Sequence, residues 1–326
     1  MKKLIVLILM AAVLAAGGVA YWSSQPITPA GQAAIDFTIL PGSSVRSTTE
    51  QIAAAGVPLQ PQLLEALARV SGKSARMKAG SYSLKPGTTP LRLLDQLVRG
   101  EFAQESLAVI EGWTFAQMRR AVAAHPSLKH ESAQWSEQEL LAKVAPDVKA
   151  AEGQFFPDTY RFARHSSDLL LYRQAFTLMQ KRLDEAWRQR AADLPYQNRY
   201  QALIMASIVE KETGRAVERT KIASVFVNRL RRGMLLQTDP TVIYGMGERY
   251  QGQIRKRDLL ADTPYNTYTR AGLPPTPIAL PGAASITAAL NPARSEALYF
   301  VSRGDGTSQF SDNLDDHNRA VNQYQR

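Results

Sequence analysis

The chain has 326 residues, 45% of them hydrophobic, no cysteine and a net charge of +10. That composition supports packed cores and excludes wholesale disorder, and the missing cysteines exclude disulfides, thiol nucleophiles and cysteine-based metal sites. The basic balance suits an anionic partner and equally a merely solvated basic surface; with no nucleic-acid motif and with Lys and Arg scattered along the chain, the cell envelope is the better reading and no nucleic acid is expected.

Lys2 and Lys3 precede an uncharged apolar run from Leu4 to Trp22, and the next charge is Asp36. Nineteen residues at about 1.5 Å each span roughly 28 Å, close to the hydrocarbon thickness of a bilayer. Lysines before the span and none directly after it predict the N-terminus in the cytoplasm and the bulk of the chain outside, in the periplasm of a single-pass inner-membrane protein. Tyr21 and Trp22 sit where an interfacial belt would be. A cleaved signal peptide is the competing reading, with Ala15, Ala16 and Ala20 as small residues for cleavage, but the apolar run exceeds a usual signal core. Ser23 to Ala34 is a polar tether containing Pro and Gly.

From Asp36 to Gly112 one pattern occurs three times. Phe37–Leu40, Tyr82–Leu84 and Leu107–Ile110 each lead to a Gly turn (Pro41-Gly42, Pro86-Gly87, Glu111-Gly112), then a hydroxyl cap and a helix. Ser47 with Glu50 and Thr114 with Gln117 have capping-box spacing, and Pro90 falls at a first helical position. Leu63, Leu64, Leu67 and Val70 mark a further helix. This reads as a small α/β module. Its first copy resembles a LysM domain, which binds N-acetylglucosamine polymers; a second LysM strand is harder to place, and a structural spacer is the alternative. Met77 and Tyr82 face sugar or belong to the core.

Around Glu152 the motif EGQFFPDTY runs to Tyr160, with Phe155 and Phe156 read as core. A long helix follows from Asp168 to Ala192, striped by Leu170, Phe176, Met179, Leu183 and Trp187. Ala202 to Val209 is then an apolar run without Pro or Gly, so it reads as a buried helix, and Glu210 stands at its end. A carboxylate there must find a partner, reach a cleft or keep its proton, and a proton kept near neutral pH is what a general acid needs. The bland alternative is the polar end of an amphipathic helix, with Gly214 as C-cap.

A helix from Glu218 to Arg231 buries Ile222, Val225, Phe226 and Leu230. Gln237 to Thr241 is a turn in which Asp239 is either the N-cap of a helix reaching Met246 or a second carboxylate paired with Glu210. Tyr265, Asn266, Thr267 and Tyr268 precede a stiff wall built on Pro274, Pro275, Pro277 and Pro281. Aromatic faces and amides suit a sugar groove. A short helix Ser285–Leu290, two strands around Gly304-Asp305-Gly306 and a last helix with Leu314, His317 and Val321 complete the chain, a tail expected to support the Pro-rich loop. His125, His130, His165 and His317 have no ligand spacing and read as surface residues, so no metal is expected; nor is a cofactor.

The blocks ASIVEKE, VFVNRLRRGMLLQTDPTVIYGMG and PYNTYTRAGLPPTPIALPG, in that order, resemble the endolytic murein transglycosylase (YceG-like) family, and the resemblance covers most of the chain past the apolar run. It implies an α+β protein: a transmembrane helix (1–22), a linker (23–35), the LysM-like module (36–104) and a mainly helical catalytic domain with a few short strands (105–326). It also implies cleavage of peptidoglycan glycan strands with Glu210 as acid and then base, and Glu212 and Glu218 as its rivals. Asn228, Gln237, Asp239, Tyr244, Tyr265, Asn266 and Tyr268 become candidate substrate-binding residues, and wall synthases become candidate partners. A hydrolase using Glu210, Asp239 and water, and a non-catalytic glycan-binding scaffold, are the alternatives.

Overall fold

The computed structural model describes residues 2–325, without the side chains of residues 2–5, 7, 8, 11, 12, 15 and 16. The chain forms two compact units, one running to Ser106 and taking in Arg161–Ser166, the other Leu107–Tyr160 and Ser167 onward.

The first unit contains α1 (Lys2–Ser24), β1 (Ile35–Ile39), α2 (Val45–Ala54), α3 (Pro61–Val70), β2 (Gly80–Leu84), α4 (Pro90–Arg99) and the start of β3 (Gln104–Ala108). Much of the apolar run Leu4–Trp22 lies, as side chains, outside the described residues, and among the described residues no helix is long and apolar enough to cross a membrane. β1 and β2 pair antiparallel with Phe37 opposite Tyr82, and their rings stack at 5.5 Å. In chain order the pair is β1–α2–α3–β2, and β2 contains the expected strand Tyr82–Leu84. Ile52, Leu64, Tyr82, Leu93, Leu94 and Leu97 are fully buried beneath this pair; each adds about 1.5–3 kcal/mol of burial. Tyr82 is therefore core, its hydroxyl donating to Lys78 O at 2.6 Å, and Met77 packs against the same cluster. α4 is bounded as its sequence dictates: Thr89 caps it, Pro90 opens it, and Gly100 closes it in the left-handed region at φ 71°. Only glycine adopts that region without strain. Arg164 holds the returning segment by ion pairs to Asp36 and Glu105.

Two local expectations are corrected here. The cap of α2 stands three residues before the expected one: Ser44 accepts from Ser47 N–H, and Glu50 pairs with Arg46 instead of closing a box. In α3, Leu64 and Leu67 face inward, whereas Leu63 and Val70 are exposed, because Ala68 takes the third core position.

The second unit carries α5 (Phe115–Ala124), β4 (Leu128–Lys129), α6 (Glu137–Val144), the strands β5 (Thr159–Ala163) and β6 (Ser166–Ser167) at the crossings between units, and α7 (Asp168–Arg188). Then come α8 (Arg199–Glu212), α9 (Arg219–Arg231), α10 (Asp239–Met246), α11 (Lys256–Leu260), α12 (Ala283–Leu290), β7 (Tyr299–Ser302), β8 (Ser308–Ser311) and α13 (Leu314–Tyr324). The expected capping box of Thr114 and Gln117 opens α5. Phe155 and Phe156 are core, as expected. α7 stops at Arg188, and its Leu170 is exposed while Leu171, Tyr172 and Ala175 take the inner face.

α8 is the axis of this unit. Asn198 caps it, every residue from Ala202 to Val209 is buried, and α7, α9, α10 and α12 pack around it. A helix apolar on all sides demands such enclosure. Thr213, extended, ends it, so Gly214 is not its cap. β7 and β8 form an antiparallel hairpin that packs on α9 through Phe300 against Phe226 at 6.0 Å. The tail thus supports α9. His317 stacks on Tyr299 at 5.0 Å, so it is half-buried and not a surface residue.

Candidate active site

The apolar run that buries α8 leaves Glu210 as the first acidic side chain at its C-terminal end. That side chain is only 6% exposed. Gly282 N–H donates to its Oε2 at 3.0 Å, and Arg219 from the first turn of α9 faces Oε1 at 3.7 Å. Arg219 Nε is buried and has no hydrogen-bond partner among the described residues. Both donors converge on the one carboxylate at the C-terminal end of the buried helix.

The wall opposite α8 is the Pro-rich loop and residues 111–113. Ile278 N–H donates to Ser207 Oγ at 2.9 Å. Gly112 N–H donates to Leu280 O and Leu280 N–H to Trp113 O, at 2.9 and 2.7 Å. Lys211 Nζ reaches Gly112 O at 3.3 Å. These bonds bring Glu111 to the site. Its carboxylate lies where a Cβ on Gly282 would be, and a Cβ on Gly112 would touch Glu210 Cγ at 3.8 Å. Burial, reinforced by the charge of Glu210 and opposed by Arg219, pushes the Glu111 carboxyl above its usual range.

The rival acids have other partners. Glu218 accepts from Ser308 N–H and Oγ at 2.8 and 2.9 Å, fastening the hairpin to α9. Glu212 accepts from Thr238 Oγ1 at 2.7 Å; burial pushes it up, with Asp239 adding to the effect against the Thr238 bond. Asp239 is the first residue of α10, and Thr238 occupies the N-cap position, because Pro240 lets the helix start that early. The expected Asp239 cap is thereby corrected. Its carboxylate instead accepts from Tyr268 OH at 2.5 Å. Burial and Asp239 push the Tyr268 phenol well up.

The structure thus groups Asp239 with Glu212 and Tyr268, and Glu210 with Glu111, Arg219 and Gly282. Tyr244 and Tyr265 form a third group: their rings meet edge-on at 4.9 Å, Tyr265 OH bonds to Thr276 Oγ1 at 2.9 Å, and Tyr244 OH donates to Glu152 at 3.1 Å. Glu152 also accepts from Phe115 N–H at 2.9 Å, and burial pushes it up to about 7. Gln237 and Asp239 are exposed, and Tyr244, Tyr265 and Tyr268 half-buried.

Two amides serve the scaffold. Asn266 is fully buried; its Nδ2 donates to the carbonyls of Asp258, Leu259 and Ala261 and its Oδ1 accepts from Tyr268 N–H. Asn228 Nδ2 donates to Ser295 O and Ala297 O. Gln237 lies in the left-handed region at φ 51°, with Oε1 near the buried Arg229 guanidinium at 3.3 Å. Glu111 and Arg219 escape sequence reasoning: the first sits in a Gly turn far along the chain, the second in a run of exposed charge. A cavity of about 370 Å3 along α10 and α11 does not include Glu210.

Residues 37–323 match the model of the YceG-like family. An endolytic murein transglycosylase of Bacillus subtilis is 28% identical over 92% of this chain and 87% of its own length. One of Streptococcus pneumoniae is also 28% identical, and the match spans only 63% of that longer protein. The crystal structure of a YceG-like protein of Listeria monocytogenes superposes with a TM-score of 0.56 at 30% identity, covering 89% of this chain and 99% of that one. The chain belongs to the YceG-like family.

Proposed function

We propose that the protein is a membrane-anchored endolytic lytic transglycosylase, which cuts the MurNAc–GlcNAc bond of peptidoglycan and leaves 1,6-anhydro-MurNAc ends. Family membership and relatives named endolytic murein transglycosylase support the reaction class. The observation that carries the mechanism is the enclosed Glu210 carboxylate, held between Gly282 N–H and Arg219 at the tip of a buried helix.

Glu210 in its acid form protonates the glycosidic oxygen as the C1–O bond breaks and an oxocarbenium-like centre forms. Between the two proton transfers it is a carboxylate, the form that Gly282 N–H and Arg219 stabilise. It then takes the proton of the sugar's own 6-hydroxyl, whose oxygen attacks C1 and closes the anhydro ring. No water is consumed, so one carboxylate at the reacting atoms suffices. Gln237, Asp239, Tyr244, Tyr265 and Tyr268, accessible on the same unit, are the residues we assign to the sugar chain; Asn228 and Asn266 shape the loops that present them. The basic N-terminus and the apolar run Leu4–Trp22 anchor the chain in the inner membrane with its bulk in the periplasm. There the LysM-like module holds glycan beside the wall synthases, and cleavage ends nascent strands.

Glu210→Gln keeps the shape and removes the acid. Digestion of purified sacculi by the full chain in detergent is expected to fall by at least about a thousandfold in rate, with an unchanged circular dichroism spectrum. A near-normal rate would remove Glu210 from the acid role.

A further inference from the structure

The cavity of about 370 Å3 beside α10 takes no part in the mechanism above, and its chemistry is not that of a site for neutral sugar. Arg249 and Arg255, from the loop between α10 and α11, and Arg257, at the start of α11, line it with one acid, Asp258. Three guanidinium groups against one carboxylate leave it a formal charge of +2. Asp258 is already engaged: it accepts from Arg255 N–H at 2.8 Å and faces Arg257 at 3.8 Å. Nearby Asp262 is held by Arg270 at 2.7 Å. Arg249 Nε donates to Met246 O at 3.4 Å, and neither Arg249 nor Arg255 has an ion pair among the described residues. A planar guanidinium matches a carboxylate or a phosphate, with two parallel hydrogen bonds. Gln251 and Gln253 add amides able to donate to and accept from a peptide backbone, and Val242 and Met246 give the cavity an apolar wall.

The cavity adjoins the residues assigned to the sugar chain. Asp239, Val242 and Met246 are spaced i, i+3 and i+7, so they share one face of α10. Asp239, bonded to Tyr268, stands at one end of that face, and the cavity lies towards the other. The eight residues of α10 span roughly 12 Å. Thr263, also in the lining, packs with Tyr265 around Gly245, where a Cβ would meet Tyr265 Cβ at 3.0 Å and Thr263 Oγ1 at 3.2 Å.

With the lactyl group of MurNAc joined to the stem peptide, the negative charge of a peptidoglycan strand is carried by the free carboxylates of that peptide. We propose that the cavity binds a stem-peptide carboxylate, with Arg249 and Arg255 as specificity-determining residues, so that strands bearing peptide are cut in preference to bare glycan. The amides and the apolar wall beside the guanidinium groups favour a peptide over the diphosphate of a lipid-linked strand. The proposal rests on the reading of the protein as a peptidoglycan transglycosylase.

The test measures kcat and KM of the full chain in detergent, as wild type and as Arg249→Gln/Arg255→Gln. The substrates are glycan strands from sacculi with their stem peptides, and the same strands stripped by an amidase to the lactyl carboxylate. On peptide-bearing strands the double variant is expected to raise KM at least about tenfold with kcat little changed. On stripped strands it should match the wild type, which controls for folding and for the chemistry. Equal losses on both substrates, or no loss on either, would overturn the proposal. Strands from sacculi carry no lipid diphosphate, so a loss confined to lipid-linked strands would assign the cavity to that group and overturn it as well. If the double variant does not fold, the wild type decides. Its kcat/KM should favour peptide-bearing strands at least about tenfold, and the preference should shrink as salt screens the exposed arginines; no preference overturns the proposal. A wild type that cleaves neither substrate would instead overturn the transglycosylase reading.

Discussion

Single residues set the chemistry, and Gly282 makes the sharpest case. It lends its N–H to Glu210 and its missing side chain to Glu111. A methyl group there meets the movable end of Glu111, so Gly282→Ala should change the melting temperature by only a few degrees yet lower sacculus digestion by at least about tenfold; a normal rate would show that neither acid depends on that contact. Glu152 makes a different prediction. Its ordinary value is 4.5 and burial raises it to about 7, so the folded chain binds a proton that the unfolded chain has already lost over that range. Stability from this group is complete below pH 4.5 and declines as pH rises towards 7, by on the order of 3 kcal/mol. Denaturant unfolding across that range should show the decline, and Glu152→Gln should flatten it. At this scale the sequence was legible where burial could be read from neighbours. Glu210 stands out because eight apolar or small residues precede it. Asn266 and Glu111 were not legible: a buried amide inside a loop looks like a solvated or sugar-binding residue, and nothing local shows that an exposed acid in a Gly turn will stand against Gly282.

Elements position those residues. α8 is rigid because it is enclosed on every side, and it fixes the Pro-rich loop through one hydroxyl: Ser207 Oγ donates to Ile204 O at 2.7 Å and accepts from Ile278 N–H. Ser207→Ala strands a buried N–H and is expected to cost about 1–3 kcal/mol. It should also slow catalysis, because the same loop carries Gly282. Chemical denaturation and digestion rates measured together check both, and an unaltered rate at lowered stability would separate loop anchoring from the site. Helices with strong local signals fall where their sequence puts them: α4 between Thr89 and Gly100, α5 at its Thr114 box. Where local signals compete, packing decides. Three hydroxyls near residue 45 offer caps, and the burial of Thr48, Thr49 and Ile52 selects Ser44. Pro240 likewise draws α10 back to Asp239, turning an apparent cap into an exposed carboxylate beside Tyr268.

At the scale of the whole molecule, each of the two units has its own core. In the first, Tyr82, Leu84 and Leu93 are fully buried; in the second, α8 and its surrounding helices form the interior. The boundaries between them were hard to read because the chain crosses three times, and the return of Arg161–Ser166 to the first unit depends on ion pairs with residues far away in sequence. The second unit contains Glu210 together with Glu111, Glu152, Glu212, Glu218 and Asp239, which agrees with a reaction that needs one carboxylate at the reacting atoms. The central claim is that the sugar's own hydroxyl, and not water, closes the reaction. Mass spectrometry of the glycan ends released from sacculi by the full chain in 18O-labelled water tests it directly. The account predicts ends one water lighter than hydrolytic ends and free of the label; full-mass reducing ends carrying 18O would contradict it and make the protein a hydrolase.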